Sequence, residues 1–219
     1  IFTSSSMIST FFIQSLFMFL RSSNPTVSGG SFQPEPPEEV PNPSQMLLAG
    51  RPEGAPGTCV ACVMEGTRPI LAEVQALVSK TSFNVPRRTA DGFDYNRAVL
   101  LMAVAEKRAA MKLSAFDAYI NVIGGLKLDE PGADLPLVLA VASSYRDQPI
   151  RSDLVAIGEV GLTGEIRSVA QINKRLAEVA RLGFKHCIIP KTTSEKLIIP
   201  DGLTVFMTKN IREAIEIAL

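Results

Sequence analysis

"INVIGGLKLDEPGADLPLVLAVASSYRD" (residues 120–147) decides how this chain folds. Its first part belongs to "AYINVIGG" (118–125), which alternates and is β-branched, so it reads as a strand. Its last part, "LPLVLAVASSYRD" (135–147), is apolar nearly all round and reads as a helix buried on most sides. Between them, "LDEPGADLPL" (128–137) places Asp129, Glu130 and Asp134 beside a Pro-Gly turn. A strand, a turn and a buried helix in that order indicate an α/β domain, and the junction is where such domains commonly place a site.

Working outward, "CVACVM" (59–64) and "ILAEVQALV" (70–78) read as two strands joined by a tight turn at 65–69, a hairpin. Residues 79–94 read as a long loop with a basic step at Arg87 and Arg88. Asp94 is placed to cap a helix over 95–109, with Val99, Met102, Ala103 and Ala110 as its apolar stripe. Beyond the opening stretch, 152–161 reads as a strand, and 162–169 as a hairpin turn and short strand. Residues 171–183 form an amphipathic helix ended by Gly183. Strands at 184–190 and 203–208 follow, then a helix over 210–218 capped by Asn210. The expected fold is α/β (α+β): a two-layer mixed sheet with helices.

The chain has 219 residues, 46% of them hydrophobic. With about 170 in the folded body, one well-buried domain is expected. Twenty-two Lys and Arg balance 22 Asp and Glu, so overall charge carries no argument for nucleic acid, while a local basic patch stays open. Residues 1–20 are Ser-, Thr- and Phe-rich, with an apolar run too short for the roughly 20 residues of a membrane span. Residues 22–45 are rich in Pro, Ser and Glu and read as a linker. Residues 1–41 are therefore expected to be a disordered leader and linker, either a targeting remnant or a gene-model extension.

The three cysteines, Cys59, Cys62 and Cys187, make no disulfide framework. Cys59 and Cys62 form a CxxC, and with Cys187 and the sole histidine, His186, they number four zinc-ligand types. On a strand, however, residues three apart face opposite sides, so buried small hydrophobes are the expected role and no metal site is assigned. No GxxxxGK[ST] and no strand-linked GxGxxG occurs, and the glycines of "GEVGLTGE" (158–165) sit in a turn that opens no helix. Ser143 and Ser144 are expected to bond backbone locally. The carboxylates Asp129, Glu130 and Asp134 are read chiefly as turn and cap residues around Pro131, with acid–base work or magnesium binding as the alternative. Lys174, Arg175, Arg181 and Lys185, with Arg87 and Arg88 second, are the candidates for phosphate contact.

"NPSQMLL" (42–48), "RPEGAPGT" (51–58), "MEGTRPILAEVQALV" (64–78), "PRRTADGFDYNR" (86–97), "INVIGGLKLDEPGADL" (120–135), "DLVAIGEVGLTGEIRSV" (153–169) and "LGFKHCIIPK" (182–191) occur in this order. Over residues 42–219 the chain resembles the C-terminal part of the bacterial DNA repair family RadA (Sms), which has plastid and mitochondrial counterparts in plants. The resemblance implies a Lon-protease-like domain of the ribosomal S5 domain 2-like fold. It also implies a parent DNA-dependent ATPase that drives branch migration of recombination intermediates. Expected partners are further copies in a hexameric ring, single-stranded or branched DNA, and a RecA-type recombinase, with no stable membrane insertion. A plastid or mitochondrial location is expected for a plant or algal chain, and the cytoplasm for a bacterial one. The family's ATP and magnesium belong to a RecA-like domain and its zinc to a four-cysteine finger. Neither motif set lies in this chain, so no cofactor and no ATP hydrolysis are expected of it alone.

Active Lon enzymes use a Ser–Lys dyad, the serine in a D-G-P-S-A-G stretch. Here the stretch is Asp129–Glu130–Pro131–Gly132–Ala133–Asp134, and Gly132 stands at the serine position. The Lon lysine follows a T-G-x-x-x-P-I-G-G-L stretch, which begins here at Thr163 and Gly164 and leads to Asn173. Lys174 is one residue later, about 100° around a helix. Without nucleophile and base, covalent catalysis has no starting point. No catalytic residue is assigned, and a Lon-type serine peptidase and a purely structural oligomerisation module stand as the alternatives.

Overall fold

A computed structural model describes residues 43–193 and 196–219. The proposed leader and most of the linker lie outside the described residues. The last residues of the expected linker, 43–45, instead begin a short helix, α1 (Pro43–Leu48), whose buried Ser44 accepts from the Leu71 N–H at 3.1 Å.

The hairpin is present as β1 (Thr58–Glu65) and β2 (Arg68–Lys80), in register from Thr58↔Gln75 to Glu65↔Arg68. The expected loop after β2 contains an additional strand, β3 (Arg88–Asp91), which pairs in parallel with β4 (Phe116–Val122). Four residues containing arginine and aspartate carry no strand signal of their own, and the pairing with β4 supplies it. Helix α2 (Tyr95–Arg108) lies between them, and the Asp94 carboxylate accepts from the Arg97 N–H at 2.7 Å, as its cap position required. The buried stripe is Ala98, Leu101, Met102 and Ala105, with Val104 beside it, not the expected one. Of the expected stripe only Met102 is buried; Val99, Ala103 and Ala110 are exposed. Apolar residues are so dense in this helix that the pattern does not set a unique phase.

Helix α3 (Asp134–Arg146) is buried from Asp134 through Ser143. Pro136 falls in its first turn, where backbone N–H groups have no intrahelical partner to lose. The expected strand at 152–161 is split. Leu154–Ala156 joins the main sheet as β5, and Glu159–Val160 (β6) pairs with Ile166–Arg167 (β7) in a separate ribbon. Helix α4 (Ile172–Arg181), β8 (His186–Pro190), β9 (Thr204–Thr208) and α5 (Ile211–Ala218) complete the chain. Asn210 caps α5 through the Glu213 N–H at 3.0 Å.

The main sheet has seven strands in the order β3-β4-β2-β1-β5-β8-β9, mixed in direction. Its two faces carry separate cores. Cys59, Ala61 and Val63 of β1 face α2, α3 and α5. Val60 and Cys62 face the opposite core, with Leu71, Ile172, Leu176 and Val179 of the sheet and α4. The expectation of two layers is therefore corrected: helices cover both faces where β1, β5 and β8 run. Strands buried on both faces need apolar residues at every position, which "CVACV" supplies. The two cysteines do face opposite ways, as their spacing required. Burial raises both thiols to about 12 and Cys187 well above its ordinary value.

Ser143 bonds local backbone as expected, its hydroxyl donating to the Gln148 carbonyl, and both serines also reach further. Their hydroxyls accept from the Gly57 N–H and the Val78 N–H, each at 2.8 Å, tying α3 across the start of β1 and the end of β2. Gly57 has φ +88°, and a Cβ there would strike the Ala76 carbonyl oxygen. Among the described residues no helix is long and apolar enough to cross a membrane.

Candidate functional site

The strand–turn–helix corner after β4 is held by hydrogen bonds to β1, α2, β6 and α4. After Val122 the chain makes a 3₁₀ turn through Gly124 and Gly125, both at positive φ, and Leu128 donates to the Gly92 carbonyl at 2.8 Å. A second 3₁₀ turn, Pro131–Ala133, leads into α3, with proline at its start as that geometry favours.

Glu130 anchors this turn from one side. Its carboxylate accepts from the Met64 N–H at 2.7 Å and from the Arg175 guanidinium, with one Nη1–Oε2 contact at 3.0 Å. Arg175 also donates to the Cys62 carbonyl at 2.6 Å and the Ala170 carbonyl at 3.0 Å. Its side chain is 1% exposed. Arg175 is thus withdrawn from any phosphate-binding surface, a correction to its reading as a DNA-contact candidate. The reason is its place on α4: Ile172, Arg175, Leu176 and Val179 are all buried, so position 175 falls within the apolar stripe.

Asp134 anchors the other side. It was expected to cap α3, but it is the first helical residue, and the cap, Ala133, makes no side-chain bond. Its carboxylate is 1% exposed and accepts from the Val160 N–H and from Arg97 Nε, each at 3.0 Å. Arg97 closes the loop by donating to the Val160 carbonyl at 3.1 Å. Hydrogen bonding to Asp134 is the main reason the Arg97 pKa is raised. The negative charge at the start of α3 also favours the helix dipole. Asp129 is exposed, as is Pro131.

Gly132 lies between these two ion pairs. Its carbonyl accepts from the Gly158 N–H, and the Gly158 carbonyl accepts from the Leu135 N–H, both at 3.1 Å. These bonds pull the chain out of the main sheet after β5 and stitch it to the corner. A Cβ on Gly132 would sit 3.0 Å from Glu130 Oε1 and 3.2 Å from Arg175 Nη1. The space a serine side chain would need is bordered by the Glu130–Arg175 ion pair. Helix α4 therefore reaches the corner, but through Arg175.

Asn173 holds something else. Its amide donates to the Lys196 carbonyl at 2.9 Å and accepts from the Ile198 N–H at 2.8 Å. It clamps the connection between β8 and β9 onto α4. Lys174 and Lys185 are exposed, and among the described residues neither enters an ion pair. Arg181 is exposed but paired with Glu178, whose hydrogen bond raises its pKa. Arg87 stacks 3.6 Å from the centre of the Phe83 ring. Arg88 turns inward, donating to the Leu113 carbonyl at 2.6 Å and to Phe116, so it too is occupied by backbone. Of the six proposed cations the fold leaves Lys174 and Lys185 exposed and outside any ion pair among the described residues, while Arg87, also exposed, lies beside the Asp117 carboxylate that its own N–H engages. The signal missed for Arg175 was legible in the helical period; for Arg88 it required the partner strand.

Among the described residues no group of three or more His, Cys, Asp or Glu is placed to hold a metal ion. A family model described as "Subunit ChlI of Mg-chelatase" matches residues 103–193, which include the corner and α4. Among curated proteins, the chain is similar to DNA repair protein RadA of Halalkalibacterium halodurans, 50% identical over 182 residues. It is 52% identical over 181 residues to DNA repair protein RadA of Listeria monocytogenes and 50% identical over 181 residues to that of Bacillus subtilis. Each match covers 83% of this chain and 40% of the relative, so the chain spans about two fifths of the length of the curated relatives it matches.

Proposed function

From a chain that belongs with the RadA-type DNA repair proteins through 83% of its length, we propose a non-proteolytic Lon-like domain that supports DNA binding and ring assembly. The ATPase that drives branch migration in such a protein lies outside residues 43–219 in this reading. The ring is hexameric and works beside a RecA-type recombinase. The observation that carries the proposal is the corner at Gly132. A Lon-type peptidase needs a hydroxyl there and an amine within hydrogen-bond reach. The corner instead has a residue without a side chain, bordered by a carboxylate–guanidinium pair, while Asn173 spends its amide on the 196–198 backbone. The same architecture has been turned from chemistry to structure.

DNA contact in this reading falls to two exposed cations, Lys174 in the first turn of α4 and Lys185 just before β8. Charge reversal of both is expected to weaken binding to single-stranded or forked DNA and to reduce its salt dependence by about 0.7 per lost phosphate contact. The test is fluorescence anisotropy across a salt series, alongside a fluorogenic peptide assay with a serine-reactive probe. Labelling near Gly132 or hydrolysis of the peptide would establish the peptidase instead. Unchanged DNA binding with a broken oligomer would establish a purely structural module.

A further inference from the structure

On the face that α4 covers, the main sheet carries an apolar patch at each end. At the β3 end this face is bare of helix among the described residues. The register sets Leu77, Tyr119 and Thr89 in one row across β2, β4 and β3, and all three are exposed, Leu77 at 62%. Phe83, with the Arg87 guanidinium over its ring, and Val85 are exposed beside this floor. At the other end Met207 of β9 shares a register row with the buried Ile189, and Ile198 and Ile199 lie in the connection that Asn173 clamps to α4. All three are exposed, Ile198 at 69%. Seven of the twelve large apolar side chains exposed among the described residues fall in these two patches, so the exposed apolar surface is concentrated there. The isoleucines are fixed in place. Asn173 holds the backbone on both sides of Leu197, whose side chain packs toward the α4 core.

The two patches also differ in charge. By register Glu73, Asp91 and Asp117 belong to the floor side of the sheet, with Arg87 as the nearby cation. Glu73 is buried, accepts from Gln75 at 3.0 Å and enters no ion pair among the described residues. Three carboxylates to one guanidinium leave the floor negative. At the isoleucine end Lys196 lies within the clamp and Lys174 beside Asn173; both are exposed and outside any ion pair among the described residues. Over 191–201 Lys191 and Lys196 match Glu195 and Asp201 in number, so Lys174 leaves the excess positive.

We propose that these patches are the two halves of one head-to-tail contact between copies of this chain, the Ile198–Ile199 knob of one copy covering the Leu77–Tyr119 floor of the next. The inference rests on the ring-assembly reading above and gives that reading its surfaces. A contact whose halves are different patches of one molecule leaves a free half on each partner, so it propagates and can close as a ring. It has the form of a protein interface: an apolar centre at Leu77, Tyr119 and Ile198, and a polar rim with Asp91 on one side and Lys196 on the other. Floor against floor, the self-complementary alternative, would oppose negative to negative charge and cover Glu73 and Asp117 without bringing a cation. The knob brings lysine. A phosphate backbone would meet the same negative floor and is disfavoured for that reason.

The test is sedimentation velocity on the whole 219-residue chain over a concentration series, with Leu77→Asp and Ile198→Asp as variants. Both side chains are exposed, so each variant should melt like the parent; Tyr119→Asp and Ile199→Asp repeat the test on the same patches if either does not. The parent should self-associate, and each variant should do so at least about 30-fold more weakly, the size of one interface hot spot. The deciding sample is an equimolar mixture of the two variants. Each keeps the half that the other lacks, so a head-to-tail contact yields a heterodimer and stops there. Variants that associate like the parent overturn this surface and leave ring assembly to another face. Association lost in Leu77→Asp but kept in Ile198→Asp, or a mixture that forms no heterodimer, overturns the pairing of floor with knob. A parent that stays monomeric at every concentration overturns the contact and the ring-assembly reading of this chain together.

Discussion

Glu130→Ala is the change that most directly tests the architecture of the corner. It removes the carboxylate paired with Arg175 and the acceptor of the Met64 N–H. Arg175 keeps the Cys62 and Ala170 carbonyls, but its charge stays buried without a counterion. Breaking a buried pair from one side costs about 3–5 kcal/mol. The Glu130 side chain is 25% exposed, so water partly screens the pair and places this case near the lower end, about 3 kcal/mol. For a domain of this size each kcal/mol lowers Tm by about 2–4 °C, giving a drop of roughly 6–12 °C by calorimetry. The informative second step is Arg175→Met on the Glu130→Ala background. An apolar side chain of similar length removes the orphaned charge, so Tm should recover by several degrees. A single-variant shift under about 2 °C, or a double variant no more stable than the single, would refute the assignment of this ion pair as a buried structural element.

Three further outcomes follow from the same geometry. Gly132→Ser forces an oxygen-bearing side chain against Glu130 and Arg175; it should cost about 1–3 kcal/mol in urea unfolding and yield no peptide hydrolysis. Ser143→Ala leaves the buried Gly57 N–H without its acceptor and should cost about 1–3 kcal/mol, read as a lower urea midpoint with unchanged slope. Glu165 has its pKa lowered from 4.5 to about 2, first by the Thr163 hydroxyl, then by its own backbone N–H and by Arg167. A depressed carboxylate stabilises the fold above its unfolded pKa and loses that contribution as pH falls through the folded value. Glu165→Gln should therefore be less stable than the parent at pH 6, with the gap closing between about pH 4.5 and 2; a gap that persists at pH 2 counts against this linkage.

Much of the fold was legible residue by residue. The hairpin of β1 and β2, the caps at Asp94 and Asn210, and the buried helix at 135–147 all followed from local pattern and capping chemistry. The opposed orientation of Cys59 and Cys62 followed from the two-residue strand period, and it already implied burial on both faces, which the two-layer expectation overlooked. Other features were not local. Strand β3 exists because β4 offers it a pairing edge. The segment 152–161 breaks because Gly158 exchanges hydrogen bonds with Gly132 and Leu135. The phase of α2 is set by which residues meet α3, since its own sequence is apolar on more than one side.

The corner at "LDEPGADLPL" divides the same way. The sequence alone determined that Gly132 brings no nucleophile and that Asn173 brings no base, because both are statements about side-chain identity. Tertiary structure decided what the carboxylates do. Glu130 and Asp134 are partnered by arginines 45 and 37 residues away, and such distant pairings leave no trace in local spacing. It also decided which cations remain available. A guanidinium on a helix is a surface charge or a buried anchor according to what packs on that helix face, and only the folded chain shows that Arg175 points to Glu130 while Lys174 points to water.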